Sequence, residues 1–159
     1  MHERDAGLAK LDRRSLWCVG GFYLVISAMM HLVWEFAHMP LYGVWKTGSS
    51  GEIAYNGLHC TIGDVMIAAA SLLTAILVTG RGRWPAERWS VVTVSAVVLS
   101  IGYTVFSEWH NVFVSKAWAY SELMPLVPGT GIGLSPFLQW LVIPTLGLWL
   151  TGRRLKDRT

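Results

Sequence analysis

A chain of 159 residues in which 53% are apolar and only 14% charged lacks the polar surface of a water-soluble domain, where roughly 25% of residues carry charge. The net charge of +3 and the pI near 9.1 come from Lys and Arg that bracket the apolar runs. That is the asymmetry of a membrane protein, not of a nucleic-acid surface. The two cysteines, Cys18 and Cys60, are too few for a disulfide scaffold, and they fall at opposite ends of the bilayer, too far apart to pair.

The leader MHERDAGLAKLDRR is mixed in charge. The apolar run Leu16–Trp34 behind it exceeds the ~7–15 residues of a signal-peptide core and is followed by no small-x-small cleavage site, so a retained helix is expected over 16–38. Three more runs, Thr61–Gly80, Trp89–Phe106 and Gly133–Thr151, are long enough to cross about 30 Å of hydrocarbon at ~1.5 Å per residue. Helices are expected over 60–80, 88–109 and 134–152. The turn RGRWPAER between the second and third is short and basic, with Gly82 and Pro85 as breakers. The segments 39–58 and 111–132 are expected as longer outer loops, rich in Trp, Tyr, Gly and Pro. Interfacial anchoring accounts for part of Trp45, Tyr55, Trp118 and Tyr120.

The basic residues set the expected orientation. Arg4, Lys10, Arg13 and Arg14 precede the first helix. Arg81, Arg83 and Arg88 lie between the second and third, and Arg153, Arg154, Lys156 and Arg158 close the chain, whereas the outer loops hold only Lys46 and Lys116. The fold expected is therefore all-α: one polytopic membrane domain, residues 1–159, a four-transmembrane-helix bundle in a bacterial inner membrane with both termini cytoplasmic. Its partners are the lipid bilayer and, as an open expectation, a second copy or another membrane protein. Nucleic acid is not among them.

Into this apolar plan the chain places titratable groups in one outer layer. HLVWEFAH sets His31, Glu35 and His38 at i, i+4, i+7, on one helix face. HCTIGD places His59 at the start of the second helix and Asp64 a turn below. The third helix ends on Glu108 and His110, and the fourth begins with Ser135 and Gln139. Carboxylates at bilayer depth cost a few kcal/mol each and repel one another, so they need compensation from protons, His partners, a cation or water. His38, His59 and His110, at the helix ends, also fit hydrated headgroup positions.

Three chemistries suit such a layer. A metal site would draw on His31, Glu35, Asp64 and Glu108, with His38, His59 or His110 as extra ligands, and mixed N/O ligation points to Zn, Mn or Fe. Proton transfer would use Glu35, Asp64 and Glu108 as acid and base, with Trp34, Tyr103, Trp118, Tyr120 and Gln139 as contacts to an organic ligand. Haem could take two histidines from different helices as axial ligands, but the carboxylate-rich layer speaks against it. GTGIG follows no strand and has no Lys-Ser/Thr, so it is a turn and not a phosphate loop; Ser135 then reads as an N-cap with Pro136 at the first helical position. No G-x-S-x-G elbow is present.

Two resemblances rest on these residues. His31, Trp34–Glu35, Met39–Tyr42, Gly63–Asp64, Glu108, Trp118, Tyr120, Met124–Pro125, Gly133–Pro136, Gln139 and Pro144 follow a pattern that resembles a class of small bacterial four-helix membrane proteins. That resemblance implies no activity, but it favours His31, Glu35, Asp64 and Glu108 as the core of the site. More distantly, H-x-x-x-E before an aromatic outer segment, a carboxylate in the next helix and an acidic end to the third helix are similar to the emopamil-binding, sterol-isomerase-like (EXPERA) superfamily. Its members include double-bond isomerases that move a proton across a lipid-like substrate, and binders of sterols and cationic amphiphiles. The function expected is binding of a cation or metal ion in a His/carboxylate pocket near the periplasmic face. The alternatives are a proton-transfer enzyme or binder for a small sterol- or terpenoid-type ligand, and an accessory subunit of a membrane complex. Whether the chain is an enzyme is open at this point.

Overall fold

The computed structural model describes residues 2–81 and 83–157, with side chains from Trp17 onward. The basic leader side chains Arg4, Lys10, Arg13 and Arg14, and Arg158, lie outside the described residues. Helix α1 runs His2–His38 and ends in a 3₁₀ turn, Met39–Leu41. A single turn, α2 (Val44–Thr47), leads to α3 (Ser50–Ala75), α4 (Trp89–Trp109) and α5 (Leu134–Lys156). Segments Trp17–Leu41, Ser50–Gly80, Trp89–Val114 and Leu134–Lys156 are each long and apolar enough to cross a membrane. The main contacts join α1 to α3, α3 to α4, α4 to α5 and α5 back to α1, closing a ring of four helices.

The outside of that ring is apolar and the inside is partly polar. Val33 is 70% exposed while Glu35, two residues on, is 5% exposed. Met29, Ile62, Met66, Val94, Val98 and Leu77 all face outward. His31, Asp64, Thr104, Glu108 and Gln139 are buried. Only a lipid solvent makes that distribution favourable: apolar groups cost nothing outside, and polar groups must find partners inside. Two glycines let helices approach closely. A Cβ at Gly57 of α3 would meet the Phe36 ring of α1 at 2.8 Å, and one at Gly147 of α5 would meet Tyr23 of α1 at 3.2 Å. Small residues at helix contacts are the usual device where lipid competes for apolar surface.

Helix boundaries depart from the hydropathy reading at the loop end. The first outer loop is short, because α3 begins at Ser50 rather than 60. Ser49 and Glu52 form a capping box: the Glu52 N–H donates to Ser49 Oγ (3.3 Å) and the Ser49 N–H to Glu52 Oε2 (2.7 Å). Tyr55 and His59 are therefore helical. Helix α4 continues as a π-helical turn, His110–Val114, so the second loop starts at 115. Helix α5 extends to Lys156 rather than 152 and starts at Leu134 with Gly133 as its N-cap. That corrects Ser135 as cap; its hydroxyl is used elsewhere.

The second loop is tied down as a roof. The Gly43 N–H donates to Ala119 O (2.8 Å) and the Ser121 N–H to Leu41 O (2.8 Å), while Ser121 Oγ donates to Pro40 O (3.0 Å). Further on, the Val127 N–H donates to Ile132 O and the Leu134 N–H to Pro125 O across a turn in which Gly129 and Gly131 take φ of 77° and 73°. Positive φ is inexpensive only for glycine. Met124 and Ile132, within this loop, are buried.

Candidate functional site

The four helices bring the predicted layer together around Gln139. Its side-chain nitrogen lies 2.8 Å from Glu35 Oε1, 2.9 Å from Asp64 Oδ2 and 2.9 Å from His31 Nδ1. An amide nitrogen carries two hydrogens, so it cannot donate to all three. The arrangement that gives each carboxylate a donor sends one hydrogen to Glu35 and the other to Asp64. His31 then donates its own Nδ1 hydrogen to Asp64 Oδ2, 3.1 Å away, and its Nε2 becomes a bare acceptor. Nε2 is buried and has no hydrogen-bond partner among the described residues.

The same logic orients His38. Its Nε2 lies 3.2 Å from Glu35 Oε2 and its Nδ1 3.0 Å from Ser135 Oγ. The Trp34 indole N–H donates to that same oxygen at 3.3 Å. The chain of donors runs Trp34 to Ser135, Ser135 to His38 Nδ1, and His38 Nε2–H to Glu35. These proton positions follow from the network. Glu35 and Asp64 are thus two carboxyls on adjacent helices, joined by one amide and each backed by a histidine.

Glu108 stands apart, on α4. It accepts the Tyr120 hydroxyl, which in turn accepts the Gly133 N–H at 2.9 Å. Burial, and then the hydrogen bond it donates to Glu108, hold the Tyr120 phenol well above the ordinary tyrosine range. Tyr42, on the roof, is raised as well, first by burial and then by the charges of Glu108 and Glu35. The Trp118 indole N–H points toward Glu108 but makes no hydrogen bond of ordinary geometry.

Between the Glu35/Asp64 wall and the Glu108 wall lies a cavity of about 740 Å³. Glu35, His38, Asp64 and Gln139 face it from α1, α3 and α5. Tyr103, Thr104, Ser107 and Glu108 face it from α4, and Tyr42 and Trp118 from the roof. Small-molecule sites run from about 300 to 1,000 Å³.

Most predicted site residues converge here, with four differences. His31 lies behind Asp64, packed on Trp140 with ring centroids 4.7 Å apart, and is not among the residues lining the cavity. Trp34 acts through Ser135 and otherwise lines a separate apolar groove between α1 and α5. His59 lines the cavity but stacks on Tyr55. His110 is exposed, stacks on Phe106 and does not line the cavity. Among the described residues, no group of three or more His, Cys, Asp and Glu side chains is arranged as a metal site. Tyr42 was not among the site residues expected from the sequence, and Ser135, expected in the same layer as Gln139, was given the role of a helix cap rather than that of partner to His38.

No protein-family model, curated protein or solved structure matches the chain. The chemistry of the site is therefore read from its own geometry.

Proposed function

We propose that this protein binds a small, largely apolar organic molecule within the bilayer and passes a proton to and from it through Glu35 and Asp64. The observation that carries the reading is the shared cavity: two partnered carboxyls face a volume of about 740 Å³, far more than a bare ion fills. With one proton between the two carboxyls, one is an acid and the other a base, both within reach of the same bound molecule. A proton given at one atom and taken from another moves a double bond with no net change in protons or electrons. Gln139 holds both carboxyls in register, and His31 and His38 each offer a donor that steadies the ionised form. On the Lys/Arg asymmetry we place the loop end, with the pocket, at the periplasmic face of a bacterial inner membrane.

Protein purified in lipid nanodiscs tests this. Organic extraction and mass spectrometry should recover one apolar compound in near-stoichiometric amount. After incubation in D₂O it should carry deuterium on carbon. Asp64→Asn and Glu35→Gln, checked for monodisperse elution, should abolish that labelling. A bound compound with no carbon-bound deuterium would defeat the proton-transfer reading.

One observation favours a second reading. His31 Nδ1, Glu35 Oε1 and Asp64 Oδ2 converge within 2.9 Å of a single point, now the Gln139 nitrogen. A cation that displaced that amide would find an imidazole and two carboxylates around it. Elemental analysis giving one metal per chain in the wild type and none in Asp64→Asn would support this reading over the first.

A further inference from the structure

Behind the pocket, α1 carries a file of polar groups along its inner face. Tyr23, Ser27, His31 and Glu35 follow one another at four-residue spacing and are 1%, 0%, 0% and 5% exposed. At ~1.5 Å per residue the file reaches about 18 Å from the carboxyl pair into the bundle. Two of its atoms, Ser27 Oγ and His31 Nε2, are buried with no hydrogen-bond partner among the described residues. Thr61 and Thr151, buried in the same bundle, each donate to the carbonyl four residues back at 2.7 Å, and Ser27 makes no such bond. A third group belongs with these two. The buried Pro144 has no N–H, so the Trp140 carbonyl, four residues before it, loses its helical donor. The Trp140 ring packs on His31 with centroids 4.7 Å apart, and Gly147 packs on Tyr23. This stretch of α5 therefore lies against the same stretch of α1.

We infer that Ser27, His31 and the Trp140 carbonyl hold a single buried water between α1 and α5, and that this water fixes His31 as the tautomer that donates to Asp64. Buried polar groups are nearly always paired, and hydrocarbon outside the bundle offers them nothing. A buried water typically makes about three hydrogen bonds, and these three groups match it. The Ser27 hydroxyl donates to the water. The water's two hydrogens go to His31 Nε2 and to the Trp140 oxygen, both acceptors. The Tyr23 hydroxyl points toward Ser27 and supplies that oxygen with a donor of its own. Donors then run in one direction, from Tyr23 through Ser27 and the water to His31, and end on Asp64, 3.1 Å from His31 Nδ1. Links that share a direction strengthen one another. The opposite tautomer would turn a bare Nδ1 toward the Asp64 oxygen, acceptor against acceptor. The site thus serves the carboxyl pair from the side away from the cavity. Its role rests on the proton-transfer reading above, where a histidine that always meets Asp64 as a donor leaves Asp64 to act as the base. The water and the tautomer do not depend on that reading.

Solid-state NMR of the full-length protein in lipid bilayers, with histidine ring nitrogens isotopically labelled, tests the site. His31→Gln, whose spectrum lacks one imidazole, assigns the His31 signals. His31 Nδ1 should carry a hydrogen, and Nε2 should carry none and receive magnetisation from water protons. Ser27→Ala, which removes only the hydroxyl, should abolish that transfer to Nε2. Pro144→Ala gives the Trp140 carbonyl its helical donor back, and should weaken the same transfer. Thr145→Ala, on an exposed hydroxyl bonded to its own helix, should change nothing. A protonated Nε2, no transfer from water to Nε2 in the wild type, or undiminished transfer in Ser27→Ala overturns the site. In the D₂O assay, Ser27→Ala should slow carbon deuteration about 5- to 10-fold, as expected for one lost hydrogen bond. An unchanged rate overturns the role given to the water. The proton-transfer reading fails separately: a wild type that shows the water but puts no deuterium on carbon sinks that reading and leaves the site standing.

Discussion

The two halves of this bundle use the same four helices and bury opposite things. At the basic end the interior is Ala75, Val92 and Leu148, each 0% exposed, with Val19, Leu72 and Ala96 around them. At the loop end it is Glu35, Asp64, Glu108, His31, His38 and Gln139. Lipid tails are as apolar as leucine, so burying apolar surface between helices gives little association energy in a membrane. The basic half therefore depends on close fit, as where Gly147 admits Tyr23. The loop half is held by hydrogen bonds across helices and by its roof, and it encloses the cavity. One half packs apolar side chains, and the other lines a cavity with polar groups.

The hardest way to break that division is to move a carboxylate across it. Ala75→Asp places a charge where the surrounding core is apolar. Insertion scales put such a group at about 3 kcal/mol or more. Folded, monodisperse protein should not be recovered, as judged by size-exclusion chromatography. Normal recovery would mean that water or lipid headgroups reach the basic half.

Matched substitutions sharpen the comparison. Leu148→Ala should lower stability by about 2–4 kcal/mol through the cavity it leaves, read from unfolding in detergent. Asp64→Asn keeps its shape and removes a buried charge, so stability should shift by less than about 1 kcal/mol, with a gain more readily expected than a loss. A loss as large as that of Leu148→Ala would show the carboxylate network to be the main brace of the fold.

Tyr120→Phe should cost about 1–2 kcal/mol, since it strands the Gly133 N–H and takes a donor from Glu108. Hydrogen exchange at Gly133 should speed up. The phenol is held above its ordinary value of 10.0, so the folded state keeps this proton more tightly than the unfolded chain does. The stabilisation it supplies is complete below about pH 10 and declines as pH rises through the raised value. The wild type should lose stability in that alkaline window, and Tyr120→Phe should lose less there. Equal alkaline sensitivity of the two proteins would place the effect elsewhere.

The smallest effect belongs outside both halves. Ser49→Ala removes the α3 capping box at an exposed helix end. Faster exchange of the Glu52 amide is expected, with no change in the global melting temperature. A global change would show that the start of α3 is part of the cooperative core.

Much of this was legible in the sequence because hydropathy and helical spacing are local properties. The four spans follow from apolar runs, and His31, Glu35 and His38 share a face because a helix returns every 3.6 residues. Boundaries were less legible. Hydropathy registers where lipid ends rather than where the helix ends, so the polar first turns of α3 looked like loop. The S-x-x-E signature at Ser49–Glu52 was the overlooked cue. Ser135 looked like a cap because helix-start statistics describe isolated helices, and they do not see His38 and Trp34 arriving from α1.

What the sequence determined alone is a four-span membrane chain with its titratable groups in one layer, because the cost of polar groups in hydrocarbon acts on every residue wherever the rest of the chain lies. Tertiary structure decided which of those groups meet. Depth along a helix can be read from residue counts, but the rotation of one helix against another is set by packing at contacts such as Gly57 against Phe36 and Gly147 against Tyr23. Those rotations gave Gln139 to both Glu35 and Asp64, set His31 behind them, left His110 outside, and separated Glu108 across a cavity.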